Sequence, residues 1–149
     1  MKYFQYTIFT FFKLPAAWLT GVRLIYLDDK KSISSIKHRW INQNPYQSMF
    51  WAVQGMAAEF PTGILLTQEI KRSNRNISML VLNNKASFTK KARGRIHFTC
   101  TQGDEVKDCI QKLIDTKTSQ RIWLNATGVN SDNQVVSTFS FEWTLLLKD

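Results

Sequence analysis

Ser48-Met49-Phe50-Trp51-Ala52-Val53-Gln54-Gly55-Met56-Ala57-Ala58-Glu59-Phe60-Pro61-Thr62-Gly63-Ile64-Leu65-Leu66 is the stretch that decides the fold. At about 100° per residue, Met49, Phe50, Val53, Met56, Ala57 and Phe60 fall on one stripe, the pattern of a helix that buries a face. Ser48 is the candidate N-cap, because its hydroxyl can accept from a free amide of the first turn. The apolar character exceeds a narrow stripe, so other elements should wrap this helix rather than leave it on a surface. Pro61 removes a hydrogen bond and should kink or end the helix, and Gly63 weakens its last turn. The central helix is therefore expected over 47–66.

Residues 3–13 read as helix, and Pro15 opens a short turn through Leu19 that Gly21 ends. Residues 22–27 and 32–40 read as strands joined by the turn Asp28-Asp29-Lys30-Lys31, a hairpin. After the long helix, 78–91 reads as a strand with Leu80, Leu82, Ala86 and Phe88 on one face. Residues 95–101 alternate as another strand. Gly103 to Thr116 is a helix with Asp104 and Glu105 where its dipole favours acids. Residues 119–130 and 134–148 follow as strands; the last sets Val135, Ser137, Phe139, Phe141, Trp143 and Leu145 against Thr138, Ser140, Glu142 and Thr144. One apolar helix against about six antiparallel strands is an α+β layer solution. The length, 149 residues, suits one domain over 1–149, with 1–20 as an N-terminal helical segment.

The charge is lopsided. Lys and Arg number 20 against 11 Asp and Glu, a net charge of +9. Eight of the basic residues (Lys71, Arg72, Arg75, Lys85, Lys90, Lys91, Arg93 and Arg95) follow one another with no acid between them. Such a run is either a solvated face or a site for an anion. Phe88 is its only aromatic, so it offers no base-stacking platform, and nucleic acid is not expected as a partner.

Met1 to Phe12 carries one Lys and an apolar run broken by Gln and Thr, with no small-residue cleavage site after it, so it does not read as a signal peptide. It reads as an amphipathic helix packed on the body; the other reading is a helix lying on a membrane surface. No run is long enough to span a membrane, so stable insertion is not expected. Two Cys make no disulfide framework, and a cytoplasmic protein with reduced thiols is expected.

This order of elements, together with Asn42-Gln43-Asn44-Pro45-Tyr46-Gln47-Ser48-Met49-Phe50 entering the helix and Phe88-Thr89-Lys90-Lys91-Ala92-Arg93-Gly94 after the third strand, resembles the hot-dog fold. More narrowly, it resembles the thioesterase-like family known as the domain of unknown function 4442. The resemblance covers about residues 14–148. It implies a homodimer joined edge to edge through the two sheets, with dimers able to pair again. It also implies an acyl-CoA or acyl-carrier-protein ligand at the dimer interface, near the start of the central helix, and no cofactor. In catalytic relatives the helix entry reads His-Gly-Gly, with an Asp or Glu about nine residues after the His. Here the entry is Tyr46-Gln47-Ser48, and the acid's place falls at Gly55 or Met56.

Glu59 is the only acid of the expected central helix, one turn beyond that place and beside Ala52 and Gly55 by angle. A half-buried carboxylate among apolar groups has a raised pKa and can act as general base for water; otherwise Glu59 pairs with a cation or meets solvent. Asn44 and Gln47, with the free amides of the helix start, could polarise a thioester carbonyl; otherwise Asn44 closes an Asx turn. Tyr46, Ser48 and Trp51 would line the acyl ligand. Lys90, Lys91, Arg93 and Arg95 would meet the phosphates of coenzyme A.

His97 and Cys100 sit at a spacing that puts them on opposite faces of a strand, and Cys109 belongs to a helix, so no metal site is expected. No nucleophile elbow, Walker loop or dinucleotide fingerprint is present. The leading expectation is a hot-dog thioesterase acting on a fatty or aryl acyl thioester. A second is a non-catalytic acyl- or lipid-binding module that lost the chemistry. A third is a peripheral membrane protein using the aromatic N-terminal helix and the basic run.

Overall fold

The computed structural model describes residues 2–148. Two short helices come first, α1 (Lys2–Lys13) and α2 (Pro15–Thr20). Gly21 ends α2 in the left-handed region at φ 98°, where a side chain would also meet the Arg39 guanidinium. Then come β1 (Arg23–Leu27), β2 (Ser32–Lys37), the long helix α3 (Trp51–Ser73), β3 (Ile77–Phe88), β4 (Arg95–Cys100), α4 (Gly103–Thr116), β5 (Gln120–Val129) and β6 (Val135–Leu147). The six strands form one antiparallel sheet in the order β1-β2-β4-β5-β6-β3. This is the expected α+β architecture.

The core lies where α3 meets the sheet. Val53, Ala57, Phe60, Ile64 and Leu65 are buried against Phe98, Leu124, Phe139, Phe141 and Leu145. Phe139 stacks on Phe141 with ring centres 6.0 Å apart and meets Phe98 edge-on at 6.0 Å. The indole N–H of Trp143 donates to Thr62 Oγ1 at 3.2 Å, so a large buried ring keeps its polar atom satisfied.

Four expectations about the elements need correction. The long helix does not end near Leu66; it continues through Pro61 to Ser73. Pro61 lacks the N–H that would bond the Ala57 carbonyl, and the hydroxyl of Ser34, on β2, donates to that carbonyl at 2.5 Å instead. The helix also starts later than expected, and Ser48 does not cap it. Phe50 is the N-cap and makes no side-chain bond, while the Ser48 hydroxyl is held by Asn44.

The strand expected over 32–40 stops at Lys37, and Trp40–Asn42 form a 3-10 turn. The Asn42 side chain donates to the carbonyls of Lys37 and Thr20 and accepts from the Arg39 amide, which draws the backbone out of the ladder. Lastly, two bulges exchange faces. Around Leu82, β3 slips by one residue against β6. Ile77, Met79 and Val81 therefore pack toward the core before the bulge, whereas Leu80 shares the outer face with Thr144 and is exposed. Ala86 and Phe88 return to the inner face beyond it, with Phe88 edge-on to Phe139 at 5.6 Å. In the same way Val136, not Val135, is buried, because the register against β5 shifts there.

Candidate functional site

Two hollows flank the open side of α3. The first encloses about 590 Å³ between α3 and the α1–α2 segment. Phe9, Leu14, Met56, Phe60, Ile64 and Met79 make its walls apolar, and Lys13 and Glu59 are its charged groups. Glu59 is an exposed residue by surface area, although apolar groups crowd around its carboxyl. No hydrogen bond or ion pair reaches its carboxyl from the described residues, so it is not paired within the protomer. Burial by the surrounding apolar atoms raises its pKa above the usual carboxylate value. An unpaired carboxylate of raised pKa in an apolar hollow has the properties of a general base.

The second hollow, of about 790 Å³, opens at the entry of α3. Asn44, Tyr46, Ser48, Trp51, Lys90 and Lys91 all line it, so six of the predicted site residues gather here. Lys90 and Lys91 reach it because the chain leaves β3 at Phe88 and folds over β6, the amides of Thr89 and Lys90 both donating to the Val136 carbonyl. The hollow combines two cations with the faces of Tyr46, Trp51 and Phe88, a setting for an anion carried on an organic body.

Other predicted residues lie outside both hollows. Arg93 donates through Nε to the Gln47 carbonyl at 3.0 Å, which ties the loop after β3 to the helix entry. Arg95 donates to Ser35 Oγ at 2.9 Å on the neighbouring strand. Gln47 sits at φ 58° in the tight turn before α3. Asn44 is consumed by that turn: its Oδ1 accepts from the amides of Tyr46 and Ser48, and its Nδ2 donates to Ser48 Oγ at 2.9 Å. The eight steps from Trp51 to Glu59 rise about 12 Å along the helix, so Glu59 and the entry loop form two neighbouring stations rather than one cluster.

Gln54 escaped sequence reasoning. It is buried at the back of the second hollow, accepts from Ser137 Oγ at 2.8 Å and donates to the Met49 carbonyl at 3.1 Å. Its only signal in the sequence is an amide set among the apolar residues of the helix. The two other polar candidates hold no site. His97 is exposed and Cys100 is buried, with burial raising the thiol pKa to about 11, and no three potential metal ligands cluster among the described residues. The basic run is likewise divided. Lys71, Arg72 and Arg75 lie at one end of β3 and Lys90 to Arg95 beyond the other, about 40 Å apart along a 12-residue strand.

No family model and no curated protein matches the chain. Solved structures do. A protein of unknown function from Chlorobaculum tepidum superposes with a TM-score of 0.82 at 18% identity, covering 95% of this chain and 92% of its own. A Pseudomonas aeruginosa protein of unknown function, described as a probable thioesterase, gives 0.79 at 16% identity, covering 97% and 95%. A mutant form of a second Pseudomonas aeruginosa thioesterase gives 0.72 at 11%, covering 98% and 94%. The chain thus has the hot-dog fold. At these identities the likeness carries the fold alone.

Proposed function

We propose that this chain binds an acyl thioester of coenzyme A or of an acyl-carrier protein and hydrolyses it, with Glu59 as the base. The observation that carries the reading is the unpaired, raised-pKa carboxylate of Glu59 in an apolar hollow. A fatty or aryl acyl group suits the walls of that hollow. Glu59 would take a proton from water as the water oxygen adds to the thioester carbonyl. Collapse of the tetrahedral adduct then breaks the C–S bond, and the leaving thiolate takes the proton that Glu59 accepted from water, returning Glu59 to its ionised form. Lys90 and Lys91 would hold the carrier's phosphates in the second hollow.

The assembly proposed with this reading is a homodimer. The outer edge of β3 has no partner strand among the described residues, and Leu80, Phe50 and Trp51 stand exposed near it or at the helix entry. Within the thioesterase-like fold, the branch nearest this chain would be the domain of unknown function 4442. The compartment proposed with this reading is the cytoplasm, where the free thiols of Cys100 and Cys109 would stay reduced.

A second reading is a non-catalytic acyl-binding module. It is favoured by one observation: the Asn44 side chain, which would polarise the carbonyl, is held in its own loop, donating one N–H to Ser48 and accepting from the Tyr46 and Ser48 amides. Thiol release from a panel of acyl-CoAs separates the two. Hydrolysis of a medium-chain substrate that is lost in Glu59→Ala, with the fold intact, supports catalysis. Tight binding without thiol release supports the module, and unchanged turnover in Glu59→Ala removes that residue from the mechanism.

A further inference from the structure

The aromatic face of α1 points outward. Phe4, Ile8, Phe11 and Phe12 follow helical spacing along one side, and all are exposed, Phe4 at 68% and Phe12 at 71%. The side toward the body carries the half-buried Tyr6 and the buried Thr10. A helix docked only to bury its apolar face would be turned the other way. The stripe also continues onto α2: Phe11 meets Phe12 edge-on at 4.9 Å and Trp18 at 4.8 Å, and Leu19 beyond is exposed.

Cations flank the α1–α2 segment. Lys13 closes the last turn of α1. The Arg23 guanidinium stands 4.9 Å from the Trp18 ring, and Lys71 shares a small hollow with Gln5, Tyr6 and Phe9. The segment from Lys2 to Thr20 contains no acid. Of the acids nearby, Asp29 and Glu69 pair with Arg72 and Asp28 accepts from the Tyr26 hydroxyl, while Glu59, in the hollow it shares with Lys13, is unpaired among the described residues. A second copy seated on the patch would bring two such cationic rims together, whereas an anionic surface would be attracted to one.

We infer that α1 and the start of α2 dock this protein on an anionic lipid surface, with Phe4, Ile8, Phe11 and Phe12 entering the acyl boundary and Lys13, Arg23 and Lys71 meeting lipid phosphates. The same segment supplies Phe9, Lys13 and Leu14 to the hollow of Glu59, so docking brings that hollow to the membrane. The inference stands whether or not the hollow is catalytic.

Flotation of the full chain with vesicles tests it, because it reads binding and not turnover. The chain is expected to float with vesicles of phosphatidylglycerol in phosphatidylcholine. It should do so at least tenfold less with phosphatidylcholine alone, and less again in high salt. The variant Phe4→Ser/Phe11→Ser/Phe12→Ser should lose at least tenfold in binding with an unchanged circular dichroism spectrum. If it fails to fold, Phe4→Gln/Phe12→Gln, at the two most exposed positions, and Lys13→Glu replace it with the same expectation. A full chain that stays in solution beside anionic vesicles overturns the inference, as do folded variants that float as well as it does. A drop in protomer number on sedimentation of the variant would assign the stripe to a second copy and overturn it equally.

Discussion

Glu59 is governed by its surroundings more than by its own chemistry. Among the described residues no group pairs with it, and desolvation by its neighbours raises its pKa above the ordinary carboxylate value. A general base works only when ionised, so activity falls as pH drops through that raised value. The acid limb of kcat/KM against pH should therefore lie above 4.5, and Glu59→Asp, which withdraws the carboxyl from the same neighbours, should move it. A limb at or below the ordinary carboxylate value would assign the base to another group. The sequence offered Glu59 as a candidate because it is the sole acid among apolar helix residues. It could not show that Asn44 is tied up by Tyr46 and Ser48, since an Asx turn and a carbonyl-polarising amide need the same residue in the same loop. Gln54 was hidden for the opposite reason. Its partner Ser137 is 83 residues away, and only the packed sheet brings the two hydroxyl and amide groups together.

At the level of elements, α3 owes its length to β2. The Ser34 hydroxyl fills the place of the hydrogen bond that Pro61 removes, and both groups are buried. Ser34→Ala leaves the Ala57 carbonyl without a donor and should cost roughly 1–3 kcal/mol in urea unfolding. Adding Pro61→Ala restores an N–H in the right place, so the double variant should recover part of that loss. Recovery no better than for Pro61→Ala alone would show that the two positions are independent. Proline in a helical pattern reads as a stop because its partner lies outside the window. The bulges at Leu82 and Val136 evade sequence reading in a related way. Met79 to Leu82 and Val135-Val136 are continuous apolar runs that mark neither face, and the slip exists only in the pairing with the next strand. By contrast, the helix of 103–116 and the strands of 120–129 and 135–147 have boundaries close to those their periodicity implies, because a clear amphipathic pattern decides them locally.

Across the whole molecule, the layer arrangement was legible early. A single helix too apolar for a surface requires a sheet around it, and the strand count supplies one. The net charge was legible as a sum but misleading as a place, because a run that is continuous in the chain is stretched out by a straight strand. That stretching has a consequence for assembly. Two identical edge strands related by a two-fold axis run antiparallel, so the start of one lies beside the end of the other. If β3 is the seam, the Lys71–Arg75 end of one copy faces the Lys90–Arg95 end of its mate, twice over. Arg72 is paired with Asp29 and Glu69, but Lys71 at one end and Lys90 and Lys91 at the other then sit close together as like charges, and simple salts that screen them should tighten the dimer. Its dissociation constant, followed by sedimentation from low to moderate ionic strength, is expected to fall as salt rises. The ordinary weakening seen for oppositely charged surfaces would place the seam elsewhere. A protein built this way joins best when other anions are already present.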